Sequence, residues 1–115
     1  MSIETTKFTS LDVATGTATS TAAAATINAQ TGLITTEALT TAAAATYTFT
    51  LTNAAITANS IVLVTVGKGT ATAGEPAVHF VTPAAGSCVI LIRNDAAVAA
   101  LNGTIKIGFK VEQVA

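Results

Sequence analysis

Two side chains in this sequence are of the kind that carry protons or attack electrophiles near neutral pH, His79 and Cys88, and each is the single example of its type. A general base needs an orienting partner and a nucleophile within hydrogen-bonding reach. Neither adjoins His79 in Ala77-Val78-His79-Phe80-Val81, which reads as strand sequence. Cys88 lies at the head of the run Ser87-Cys88-Val89-Ile90-Leu91-Ile92. A thiol in such a setting behaves as a small buried hydrophobe with a raised pKa. The six carboxylates, Glu4, Asp12, Glu37, Glu75, Asp95 and Glu112, stand singly along the chain. No two are spaced for acid–base work, and no cluster offers the roughly six to eight oxygens that calcium takes. One Cys and one His cannot fill the four positions of a zinc site. Catalytic residues, metal and cofactor are therefore all expected to be none, and the chain is read as not an enzyme.

Two short motifs are read as turns. Gly67-Lys68-Gly69-Thr70 resembles the end of a phosphate-binding loop but has Val62 where that loop requires its first glycine. Asn102-Gly103-Thr104 fits a glycosylation acceptor, yet Asn-Gly ahead of a strand is first of all turn chemistry.

The elements that must position these residues are strands. Leu, Ile, Val and Phe make up 30 of the 115 residues, enough for a single core in a domain this size. The remainder is dominated by 25 Ala and 23 Thr, and only 10% of residues are charged against an ordinary share of about 25%. A net charge of −1 leaves no basic footprint for nucleic acid or anionic lipid, so neither is expected as a partner. A surface of Thr, Ala and Ser lacks the repulsion that keeps proteins apart, which suits a chain that packs against other subunits. Residues 1–10 lack the basic and apolar regions of a secretory signal. The strongest apolar runs, 61–66 and 88–92, are far shorter than the roughly 18 residues of a spanning helix, and the chain reads as soluble.

Tyr47-Thr48-Phe49-Thr50-Leu51-Thr52 and Ile105-Lys106-Ile107-Gly108-Phe109-Lys110-Val111 alternate with period two, the pattern of strands with one wet face. Residues 60–66 and 87–92 are apolar on both faces and are expected as central strands covered on both sides. Weaker strands are expected over 25–30, 33–39 and 77–82, with Thr31-Gly32 as a tight turn and further turns at 67–69, 74–76, 83–86 and 102–103. The repeated Thr-Ala-Ala-Ala-Ala-Thr at 21–26 and 41–46 reads as connections. A short helix of at most two turns is expected over 94–101, with a polar cap at its start and Asn102-Gly103 at its end. The fold class that follows is all-β: a single antiparallel β-sandwich, jelly-roll or immunoglobulin-like, over residues 21–115. Residues 1–20 are expected to form an extended N-terminal arm. Its sparse Ile3, Phe8, Leu11 and Val13 are the candidate partner-binding residues.

The stretches Gly32-Leu-Ile-Thr-Thr-Glu-Ala-Leu-Thr-Thr-Ala-Ala-Ala-Ala-Thr-Tyr-Thr-Phe-Thr-Leu-Thr-Asn53 and Ala99-Ala-Leu-Asn-Gly-Thr-Ile-Lys-Ile-Gly-Phe109 resemble small β-rich virion proteins of tailed bacteriophages, most closely capsid decoration, or cement, proteins. The resemblance implies a protein made in the host cytoplasm that binds and stabilises the capsid exterior. Its partner would be the major capsid protein, and its oligomeric state, by analogy, a homotrimer. The alternative is a tail-fibre or appendage module with a receptor-binding role, which would need an exposed aromatic groove.

Overall fold

A computed structural model describes residues 15–112. Its eight strands are β1 (Thr15–Thr19), β2 (Ala24–Thr26), β3 (Thr31–Thr35), β4 (Thr46–Thr52), β5 (Ile61–Lys68), β6 (Pro76–Ala84), β7 (Ser87–Asn94) and β8 (Ile105–Glu112). They form two four-stranded sheets, β1-β3-β8-β5 and β2-β4-β7-β6, packed face to face. The all-β class is thus observed, in a sandwich-like arrangement with no helix among the described residues.

Alternation along the strands builds the core between the sheets. In β8, Ile105, Ile107, Phe109 and Val111 point inward while Lys106, Lys110 and Glu112 face water. Across the gap stand Phe49 and Leu51 of β4 with Cys88, Ile90 and Ile92 of β7, every one fully or almost fully buried. Each large apolar side chain hidden this way contributes about 1.5–3 kcal/mol.

Several expectations are corrected. The sheets are mixed, not purely antiparallel, because β1 runs parallel to β3 and β2 parallel to β4. The cause is topological: β1, β2, β3 and β4 alternate between the two sheets, so neighbours within a sheet are two strands apart in sequence and run the same way. Where a helix was expected over 94–101, Asn94 belongs to a strand and residues 95–101 form an irregular loop. Asn94 ends β7, and its side chain caps no helix; it bonds to four separate backbone groups of the surrounding loops.

Thr31 and Gly32 belong to β3 and pair with Lys110 and Phe109. The glycine is there because its α-carbon lies against the Phe109 ring, where a Cβ would meet Cε2 at 2.5 Å. β5 is an edge strand, not a covered central one, and it extends through Gly67 and Lys68. Pro83 likewise lies within β6, so the β6–β7 turn is only Ala85-Gly86, with Gly86 at φ +79°. The first alanine tract is part strand, since β2 begins at Ala24, whereas the second is a connection. Residues 15–19 of the expected arm form β1 and belong to a sheet, and Ser20 after it is buried, its N–H donating to the Thr35 carbonyl; residues 1–14 lie outside the described residues.

Candidate interaction surface

The outward faces of the two sheets are where this molecule meets its surroundings. On the β1-β3-β8-β5 sheet the register aligns Leu33 with Gly108 and Thr65, and Thr31 with Lys110 and Leu63. Because Gly108 has no side chain, Leu33 and Leu63 stand as the walls of a shallow depression of about 370 Å³, with Phe109 and Gly108 at its floor. Leu33 is 41% exposed, and Leu63 and Ile61 are each 53% exposed. This face also carries Lys106, Lys110 and Glu112, the last two joined by an ion pair at 3.1 Å. Such an exposed pair contributes little to stability and leaves both groups open to other contacts.

The opposite sheet presents a second apolar cluster. Its register places Phe80 beside Leu91 and Thr48, and Thr82 beside Val89 and Thr50. Phe80 is 61% exposed and Val89 38%. His79 is the extra residue of a β-bulge between Val78 and Phe80, and its ring meets the Phe80 ring edge-on with centroids 4.5 Å apart. The bulge turns the His79 side chain outward, so the histidine lies exposed at a sheet edge beside an aromatic ring.

Cys88 is fully buried between Leu51 and Pro83, and burial pushes its thiol upward in pKa. Among the described residues Glu37 is the most engaged carboxylate. Ser20 Oγ and Tyr47 Oη donate to it, the latter at 3.0 Å, as does the Ala23 N–H at 3.0 Å, while the Glu37 N–H donates back to Ser20 Oγ at 3.1 Å. Burial alone would raise the Glu37 pKa, but the hydrogen bonds from Ser20, its own backbone, Tyr47 and Ala23 outweigh it and hold the carboxyl below its ordinary value. The same environment pushes Tyr47 up to about 12, chiefly by burial and then by the neighbouring Glu37 charge, against a lowering by Ser20. This network ties the turn after β1 to strand β4, and its donors already occupy both carboxylate oxygens.

Among the described residues no group of three or more His, Cys, Asp or Glu side chains is placed to hold a metal ion, and no helix is long and apolar enough to cross a membrane. Ile3, Phe8, Leu11 and Val13 lie outside the described residues. The outward Leu33, Ile61, Leu63 and Phe80 were not singled out by sequence reasoning. Their signal was present in Ile61-Val62-Leu63, where an apolar residue at every position means either a strand covered on both faces or a strand with an adhesive outer face. Comparison of the chain with family models, curated proteins and solved structures gives no match.

Proposed function

We propose that this protein is a non-enzymatic virion component that binds the exterior of a tailed-phage capsid and stabilises it as a decoration protein, with the major capsid protein as partner. The observation that carries the reading is the surface: large apolar side chains, Leu33, Ile61, Leu63 and Phe80, stand exposed among threonines on both outer faces. A freely dissolved monomer is better served by charge at such positions, whereas a subunit that packs against neighbours gains from burying them. The resemblance of residues 32–53 and 99–109 to phage decoration proteins supplies the partner.

Cosedimentation with purified phage shells, and separately with detached tails, tests the reading. Retention on shells with a raised thermal resistance of the shell is expected. Retention on tails alone, or on neither, would overturn it.

A further inference from the structure

Among the described residues the sandwich has four strand edges, and three of them carry devices that discourage further pairing. β6 contains Pro76, Pro83 and the His79 bulge, β2 has only three residues, and β1 has five with a glycine at its second position. Proline, bulges and shortness are the usual means of blunting an edge. β5 has none of them. It is eight residues long, contains no proline, keeps an unbroken register with β8 through all eight pairs, and has its only charge, Lys68, at the very end. Among the described residues it is paired on one side only.

We propose that β5 is an assembly edge and that its occupant is β5 of a second copy of this chain, joined antiparallel about a two-fold axis. The side-chain alternation selects the register. Val62, Val64 and Val66 must remain on the core side in both copies, so only pairings between residues of like parity are allowed. The longest such overlap that keeps Lys68 clear of the valines places Val64 against Val64 of the second copy. Val62 then faces Val66, Leu63 faces Thr65 and Ile61 faces Gly67.

Charge complementarity falls out of this arrangement without adjustment. Ile61 pairs with Glu112 inside one copy, and Gly67 with Lys106 inside the other. The outer face of the joined sheet therefore has a row Glu112–Ile61–Gly67–Lys106, in which the missing side chain at Gly67 leaves space for the carboxylate and the ammonium to approach. Three inter-strand spacings of about 4.8 Å, roughly 14 Å in all, separate their backbones, so the two charges attract across the junction at low salt while Glu112 keeps its pair with Lys110. The row occurs twice by symmetry, and Leu63 gains cover from the second copy's Thr65. The product is one continuous eight-stranded sheet. This pairing is two-fold, in contrast to the three-fold arrangement that the phage resemblance implies, and it stands whether or not the capsid reading does.

The test uses the full chain. Sedimentation velocity across the micromolar range should show a dimer. Glu112→Lys should weaken it by roughly tenfold at low salt, and the swap Glu112→Lys with Lys106→Glu should restore it. In parallel, Leu63→Cys combined with Thr65→Cys should give a covalent dimer on mild oxidation that Leu63→Cys alone does not, because only the double variant sets two sulfurs directly opposite across the junction. A monomer at all concentrations, a trimer, or a dimer that neither crosslinks in the double variant nor responds to the charge swap would overturn the proposal. So would self-association that disappears when residues 1–14 are deleted.

Discussion

Replacing Asn94 by Ala is expected to be the most damaging single substitution of a polar residue in this protein. Its side chain is fully buried and uses every hydrogen-bonding site it has. Nδ2 donates to the Thr41 carbonyl at 3.1 Å and the Ala99 carbonyl at 2.8 Å. Oδ1 accepts from the N–H of Glu75 at 2.9 Å and of Ala96 at 3.1 Å. One amide thus joins the ends of three loops. Each such bond contributes about 0.5–1.5 kcal/mol net, and more when the abandoned partner stays dry. Asn94→Ala removes four at once, so a loss of about 3–5 kcal/mol is expected. A domain of this size has about 5–15 kcal/mol in total. Urea unfolding followed by circular dichroism measures the loss as a fall in midpoint at constant slope. Asn94→Asp is the informative companion: it keeps the acceptor for Glu75 and Ala96 but turns an oxygen toward two carbonyls, and it should fare no better than alanine. A loss below about 1 kcal/mol for Asn94→Ala would refute the reasoning.

Three further outcomes are expected. Tyr47 is the only tyrosine and there is no tryptophan, so tyrosinate absorbance should rise near pH 12 in the folded protein; since the folded state favours the neutral phenol, the stability it lends is complete below the ordinary tyrosine pKa of about 10 and is lost as pH rises toward 12. The Glu37 pKa is lowered in the folded state, so its contribution is present above the ordinary carboxylate range and lost as pH falls through the folded value; Glu37→Gln should flatten the acid limb of a urea-midpoint profile. Gly32→Ala drives a methyl to 2.5 Å from the buried Phe109 ring and should cost about 1–3 kcal/mol in the same assay, whereas Ala44→Gly, at φ 61°, should stabilise by about 0.5–1 kcal/mol.

The strands were legible where one face is wet. In β4 and β8 the partner of each apolar residue is a Thr, Gly or Lys, and period two follows directly from the pleat. β5 was misplaced for the opposite reason. Ile61 and Leu63 are apolar yet face outward, and a rule that sends apolar residues inward must read such a strand as covered on both sides. Asn94 followed by Asp95 and alanines has the local look of a helix start, but a helix there would withdraw the amide from Thr41 and Glu75, groups far away in sequence that no local pattern reveals. Gly32 looked like turn punctuation, although its small size answers to the Phe109 ring on a neighbouring strand. The parallel pairs depend on which sheet each short early strand joins, a tertiary choice that turn chemistry does not encode. The outer apolar patches were hidden in the same way as β5, because exposure belongs to the sheet order and not to the residue.

The claim that this chain is a shell component is tested most directly by its copy number in purified phage particles, measured by quantitative mass spectrometry against the major capsid protein. The account predicts hundreds of copies per particle, released together with the shell and not with the tail. A count of a few to a few tens, or recovery with detached tails, would contradict it.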